Sequence, residues 1–301
     1  MKKLSVTIGI PAYNEGANIK NLLLSLLNQK NPNYILKKII VISDNSSDNT
    51  VAEVKSVNNK KIKLIENDER KGQAVGQNKI IENFDSDILV LLNADILPKG
   101  KLFISRLIIP ILKNPKVGIV CPKMIPVKEQ NFFGGIINYS VNFKDYIFEN
   151  WRNGGNIQMC KGAARAFSKE FAKKISWPES LSEDAFSYLY AVTSGYKFVL
   201  NRYSKAYFKS PDNFMDHIRQ SARFMEGPKI MSRYFDKDVV ASEYALPKTI
   251  SFSAAVRFFL LNPVLFSSYV LTFLVIKINP NKGGFAKSKW QISKSSKMLN
   301  I

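Results

Sequence analysis

The chain has 301 residues, enough to bury a large core in one big domain or two ordinary ones. Its 46% hydrophobic and 23% charged composition excludes wholesale disorder, and two cysteines, Cys121 and Cys160, exclude a disulfide scaffold and fit no zinc spacing. Forty-four Lys and Arg against 24 Asp and Glu leave a charge of +20, which favours a polyanionic partner or surface. A single histidine, His217, excludes the usual His-rich metal sites, so a catalytic metal would be held by carboxylates, as magnesium and manganese are.

The N-terminus, Met1-Lys2-Lys3, runs directly into a strand-like stretch with no long apolar run behind it, which does not read as a signal peptide. The catalytic part is therefore expected in the cytosol. Residues 4–10 predict a strand and 17–29 a helix, from Ile19, Leu22, Leu23, Leu26 and Leu27 at helical spacing. Residues 38–42 predict a second strand, followed by a loop of capping residues, Ser43 to Asp48. A helix through Val51, Val54 and Val57, a strand at 62–65, a helix at 72–84 and a fully apolar strand at 88–92 follow. Near-continuous apolar strands alternating with helices predict an α/β domain with a mostly parallel sheet covered on both faces.

The second half is less regular. Residues 98–113 predict a helix and 117–121 a strand; residues 126–158 read as a long Gly- and Asn-rich excursion carrying several aromatics. A helix from Ser168, a helix over 182–193, a strand at 197–200 and a helix around 212–225 complete this part. The last acidic residue is Glu243, and eight basic residues follow it, from Lys248 to Lys297. Among them lies an uncharged run at 258–276, at the lower limit for crossing a bilayer and interrupted by Asn262-Pro263. Apolar sequence beside a lysine-rich tail predicts membrane-associated helices, a re-entrant or interfacial hairpin rather than a single span. A buried helix pair is the alternative. The expected organisation is a domain over 1–235, in halves 1–115 and 116–235, and C-terminal helices with a basic tail over 236–301.

Ligands of open parallel sheets bind beyond the carboxyl ends of the strands. Three loops there carry polar or acidic residues: Tyr13-Asn14-Glu15, Asp44 to Asp48, and Asn93-Ala94-Asp95. Each alone reads as an ordinary cap or turn, but three together point to a site, and the Asp95 carboxylate, held directly after the rigid apolar run at 88–92, is well placed to bind a divalent cation on a diphosphate.

With these loops in place, the chain resembles the family-2 glycosyltransferases of GT-A (Rossmann-like) fold, which transfer sugars from nucleotide diphosphate donors with inversion. The matching segments are Val6 to Glu15, Val41 to Thr50, Lys71-Gly72 through Asn78, Leu89 to Asp95, Gly162 to Phe167, Ser182-Glu183-Asp184 and Gly195 to Phe198. Gln220-Ser221-Ala222-Arg223-Phe224 resembles the Gln-x-x-Arg-Trp motif of membrane polysaccharide synthases. The resemblance implies a nucleoside pocket of Pro11, Tyr13, Glu15 and Asp44, with Lys71, Asn93 and Ala94 along the rest of the nucleotide sugar. It makes Asp95 the ligand of Mg²⁺ or Mn²⁺ and Asp184 the general base, with Gly162 and Glu183 on the acceptor side. Arg223 and Gln220 would offset leaving-group charge. The implied partners are a nucleotide diphosphate sugar, a lipid-linked or glycan acceptor and the cytoplasmic face of the membrane, with no nucleic acid.

Three positions depart from the family pattern. Ser43 and Asn93 stand where acids are usual, and Phe224 stands for Trp, which opens the reading of a catalytically silent relative. Locally, Ser182 to Asp184 also suits a helix cap with first-turn acids, and Arg70, Lys71 and Asn78 suit either phosphate contact or a solvated helix start. Trp151 and the aromatics from Phe132 to Phe148 suit stacking on a sugar, contact with lipid, or packing under a loop. His217 reads as structural or exposed, and the two cysteines as buried thiols. The rivals are a soluble single-transfer enzyme and a basic nucleic-acid- or membrane-binding protein without catalysis.

Overall fold

The computed structural model describes residues 3–129, 131–179 and 182–278; the side chains of Ala222 and Arg223 also lie outside the description. One eight-stranded sheet spans both halves of the expected domain, in the order β3-β2-β1-β4-β7-β6-β8-β5. Its strands are β1 (Leu4–Ala12), β2 (Tyr34–Ser43), β3 (Ile62–Glu66), β4 (Ile88–Leu92), β5 (Ile96–Pro98), β6 (Val117–Pro126), β7 (Ala164–Ser168) and β8 (Lys197–Phe208). The first four in space, β3-β2-β1-β4, are parallel, as their apolar runs predict. The period of two divides their side chains between two cores. Val6, Ile8 and Ile10 face α1 (Ile19–Leu27) and α4 (Phe103–Leu107), whereas Ile40, Ile42, Leu89 and Leu91 face α3 (Gln73–Glu82).

The sheet is mixed: β6 and β8 are parallel like the first four strands, and three pairings are antiparallel. β7 runs antiparallel to both β4 and β6, and β5 antiparallel to β8. β7 escapes a reading by pattern because Arg165, its second residue, stands between two alanines. The region read as an excursion holds the 19-residue helix α6 (Phe132–Asn150). Gly134, Gly135 and three asparagines lower its helix propensity, yet Asn131 caps it by accepting from the Gly134 amide at 2.6 Å. Packing supplies the rest. The stretch expected as one helix over 98–113 splits into α4 and α5 (Ile109–Lys113), with Pro110 at the start of the second.

α7 (Lys169–Ala172), α8 (Glu183–Thr193), α9 (Phe214–Met231) and α10 (Lys237–Tyr244) complete the domain, with the short α2 (Thr50–Ser56) beside α1. The apolar C-terminal run forms two helices, α11 (Lys248–Leu261) and α12 (Pro263–Ile278), broken at Asn262-Pro263 as expected. Asn262 caps α12 through the Leu265 amide at 3.0 Å. At 16 residues α12 is about 24 Å long, short of ~30 Å of hydrocarbon. Among the described residues no helix is long and apolar enough to cross a membrane. The hairpin packs on α6 through an aromatic cluster: Phe143 meets Phe258 at 5.4 Å, Phe266 at 5.5 Å and Tyr269 at 5.8 Å, and the Tyr139 hydroxyl donates to the Phe258 carbonyl. The basic tail beyond Ile278 lies outside the described residues.

Candidate active site

The first loops close on one another by side-chain-to-backbone bonds. Asn14, at φ +53°, accepts from the Ser47 amide at 2.8 Å and donates its own amide to Ser46 Oγ at 3.2 Å. The Glu15 amide donates to Thr50 Oγ1 at 2.8 Å, and the buried Glu15 carboxylate accepts from Asn18 at 3.3 Å. Gly16 makes room for the Asn49 side chain: an added Cβ would lie 1.8 Å from Asn49 Oδ1. Pro11 ends the strand under α3, where Gly76 lets the two approach; a Cβ on Gly76 would sit 3.3 Å from the Pro11 ring.

Asp44 is buried and fully engaged. Its Oδ1 accepts from Asn67 Nδ2 at 3.0 Å and the Lys71 amide at 2.8 Å, and its Oδ2 from the Gly72 amide at 2.8 Å. The carboxylate thus pins the loop before α3, with Gly72 at φ +96° turning the chain into the helix. Arg70 is carried onto the ring of Tyr13 with its guanidinium carbon 4.0 Å from the centroid. The Lys71 ammonium pairs with exposed Glu69 at 3.5 Å. Asn78 does not face a phosphate; it clamps the Trp177 backbone, donating to its carbonyl at 2.8 Å and accepting from its amide at 3.0 Å.

The two halves meet where β4 joins β7. Leu92 lies opposite Ala164, and just beyond the pair the Asn93 amide donates to the Ala163 carbonyl at 2.8 Å. Ala94 is buried, and Asp95 follows it half-buried. Next to Ala163, Gly162 faces the Asp184 side chain: a Cβ there would lie 3.4 Å from Asp184 Cβ and 3.5 Å from Oδ2. The Asn93–Ala163 bond therefore brings the Asp95 loop and the Gly162–Asp184 contact to one end of the sheet. Asp184 stands in the first turn of α8, half-buried, with Oδ1 accepting from the Ala185 amide at 2.8 Å; Ser182 makes no side-chain cap.

A divalent cation fits this place under one condition. Among the described residues no three His, Cys, Asp or Glu side chains gather to form a cage. Asn93 Oδ1 already accepts from Gln73 Nε2 at 3.0 Å, leaving Asp95 as the carboxylate of the loop. One carboxylate suits an ion that completes its shell with diphosphate oxygens and water.

Beneath Asp184 lies Arg165, fully buried. It donates to the Glu183 carbonyl at 3.0 Å, Ser187 Oγ at 2.8 Å and Gln77 Oε1 at 3.0 Å, and its plane lies among Phe167 and Trp177 at 5.6 and 5.7 Å. Trp177 Nε1 donates to the same carbonyl at 3.1 Å. Arg165 so ties α3 to the start of α8, and Glu183, buried, contributes through its backbone. Composition and spacing gave no hint of this residue; an arginine within a short apolar run is the one signal that points to it.

Gln220 is half-buried on α9, and Arg223 lies on the same helix with its side chain outside the described residues. Tyr244, at the end of α10, stands near Asp184: burial, and then the Asp184 carboxylate, push its phenol above the ordinary range. Both cysteines are buried thiols; burial and the adjacent Cys121 push Cys160 up. His217 is buried, and desolvation together with the nearby Lys144 ammonium pushes it down to about 4.

This arrangement, a sheet with its two halves joined at β4–β7, is matched by known proteins. The family model "Glycosyl transferase family 2" matches residues 7–176, and "Glycosyl transferase family group 2" matches 103–281. The chain belongs to glycosyl transferase family 2. The curated relative "Probable glycosyltransferase YdaM" of Bacillus subtilis (strain 168) is 25% identical over 240 residues, covering 75% of this chain. The match spans 56% of that relative's length. The mannosyltransferase PcManGT from Pyrobaculum calidifontis, solved with GDP-Man and Mn²⁺, superposes with a TM-score of 0.63 at 16% identity, covering 93% of this chain and 87% of its own. S. aureus TarS 1-349 in complex with UDP gives 0.55 at 16%, covering 97% and 95%. These likenesses show a GT-A-like fold.

Proposed function

We propose that the chain is an inverting, divalent-cation-dependent transferase moving a sugar from a nucleotide diphosphate donor to a hydroxyl of a lipid-linked or glycan acceptor, at the cytoplasmic face of a membrane. The single observation that carries this reading is the Asn93–Ala163 bond, which sets the Asp95 loop beside the Gly162–Asp184 contact. Pro11, Tyr13 and Glu15 border the nucleoside pocket. Asp44 acts there by holding the loop of Lys71 and Gly72, and Asn93 and Ala94 flank the diphosphate. Asp95 is the metal ligand, and the cation supplies neutralising charge for the departing diphosphate. The solved neighbours with Mn²⁺ and GDP-Man or with UDP support a cation and a nucleotide donor without choosing the base.

Asp184 takes the proton from the acceptor hydroxyl as that oxygen attacks the anomeric carbon from the face opposite the diphosphate, and the configuration inverts. Gly162 leaves room for the acceptor against the base, and Gln220 and Arg223 add positive and polar groups where charge leaves. The absence of acidic residues after Glu243 and the apolar α11–α12 hairpin support a membrane setting.

The test is donor hydrolysis and binding across a panel of nucleotide sugars with Mn²⁺, Mg²⁺ or EDTA. One donor is expected to turn over with metal alone; Asp95→Ala loses metal-dependent donor binding. Asp184→Asn keeps that binding and loses transfer by about 10³-fold. Donor binding by no nucleotide sugar under any metal condition sinks the proposal.

A further inference from the structure

We propose that Lys144 and Lys161 form an anion seat for the phosphate group of a lipid-linked acceptor, whose hydrocarbon chain lies along the α11–α12 hairpin. The inference rests on the acceptor side of the function proposed above and names the chemistry that side recognises.

The charge count comes first. Lys144 projects from α6 with Nζ 5.5 Å above the ring of Tyr269 on α12. Among the described residues no carboxylate pairs with it. The adjacent carboxylate, Asp145, is buried and is held by Lys161 Nζ at 2.6 Å. Two ammonium groups thus share one acid. Burial, and then the charge of Lys161, push the Lys144 ammonium below its usual range. His217, close by on α9, stays neutral and leaves Nδ1 without a partner. A desolvated surplus of positive charge is costly for a protein folding alone and is relieved by an anion.

Position says which anion. Lys161 directly precedes Gly162, the residue packed against Asp184, so the seat flanks the proposed base. On its other side lies Tyr269, and from Tyr269 the hairpin continues outward with Leu260, Leu261, Val264 and Leu271 exposed. Positive charge, aromatic face and open apolar surface follow one another away from the base. A soluble glycan matches only the aromatic face, and a soluble sugar phosphate has no use for the open apolar surface. A phosphate ester of a long-chain lipid matches all of them.

Calorimetry on the full chain in EDTA, which keeps a diphosphate out of a metal-dependent donor site, tests the seat with farnesyl diphosphate, farnesol and inorganic diphosphate. Farnesyl diphosphate is expected to bind about tenfold more tightly than either of the others. Lys144→Met is expected to lower that affinity about tenfold and to leave farnesol binding and nucleotide-sugar binding with Mn²⁺ unchanged. Lys161→Met is the second variant: freeing Asp145 to pair with Lys144 lowers farnesyl diphosphate affinity by a similar factor.

Equal binding of farnesyl diphosphate and farnesol overturns the proposal, as does unchanged affinity in both variants. Displacement of farnesyl diphosphate by a nucleoside diphosphate also overturns it, because the probe then sits in the donor site. Phosphatidylcholine vesicles containing phosphatidylglycerol should bind wild type and Lys144→Met alike; a loss in the variant overturns the seat in favour of a membrane-surface lysine. Donor turnover without farnesyl diphosphate discrimination removes this inference alone. Farnesyl diphosphate discrimination without any donor binding removes the function proposed above and leaves the seat.

Discussion

At the β4–β7 seam, polar groups from distant parts of the chain bond to one another: Asn93 to Ala163, Arg165 to Gln77 and Glu183, Asn78 to Trp177. At the α11–α12 hairpin, by contrast, Phe258 and Tyr269 turn inward onto α6 while Phe252, Leu260, Leu261 and Leu271 face outward. The seam is cross-linked by hydrogen bonds that position its elements against one another, as an in-line displacement needs. The hairpin leaves apolar area uncovered, which marks a surface for something else. The two regions should therefore respond differently to substitution.

The largest effect is expected at the donor loop that serves the seam. Asp44→Ala strands three donors, Asn67 Nδ2 and the amides of Lys71 and Gly72. A loss of roughly 4 kcal/mol follows if each bond to the charged group contributes in the usual way. Chemical denaturation measures it. A loss comparable to that of a surface variant would show that Asp44 is free for the nucleoside base and does not hold the loop.

His217 lies between the two regions and reports on pH. Its folded value of about 4 is below the unfolded value near 6.5. The unfolded chain therefore takes up a proton first as pH falls. Stability is complete above pH 6.5 and declines toward pH 4, by at most about 3 kcal/mol from this group. Tm measured across that window should fall more steeply for wild type than for His217→Leu. Parallel slopes would place the acid sensitivity elsewhere.

Arg165 tests whether the seam positions the base or merely packs. Arg165→Met keeps volume and removes the two bonds to α8 and the one to Gln77 that anchors them to α3, so a kcat about 100-fold lower with unchanged donor affinity is expected. Arg165→Lys, which keeps charge without the fork, should recover little. A variant with normal kcat and a lower Tm would make Arg165 a packing residue.

The donor half was the legible part of this sequence. β4 is an unbroken Ile, Leu and Val run and β1 and β2 are rich in the same residues, and their following loops hold the expected polar residues at the expected ends. What pattern could not supply were contacts made at long range. The bonds that fill the Asp44 carboxylate come from residues 23 to 28 positions away, and the bond that joins Arg165 to Gln77 spans 88. β7 and α6 were obscured for a local reason: an arginine in a strand, and paired glycines with asparagines in a helix, oppose the propensities that pattern reading depends on. In both, tertiary packing overrides the local preference.

The smallest stability effect, and the sharpest separation of the two regions, is expected on the outer face of the hairpin. Leu260→Ser and Leu271→Ser alter side chains that are 74% and 63% exposed, so each should change stability by no more than about 0.5 kcal/mol. Phe258→Ala, on the inner face, removes a ring packed against Tyr139, Phe143 and Tyr146 and should cost about 3 kcal/mol. Flotation with vesicles then gives the opposite ranking. The paired Leu260→Ser and Leu271→Ser substitutions remove apolar surface that would enter the acyl boundary, where each buried CH₂ contributes about 0.8 kcal/mol. Vesicle binding should fall at least tenfold while Tm stays in place. If the outer-face variants lower Tm as much as Phe258→Ala and leave vesicle binding intact, the hairpin is core and the membrane setting is wrong. The seam would still hold Asp95 and Asp184 together, because none of its bonds involves α11 or α12.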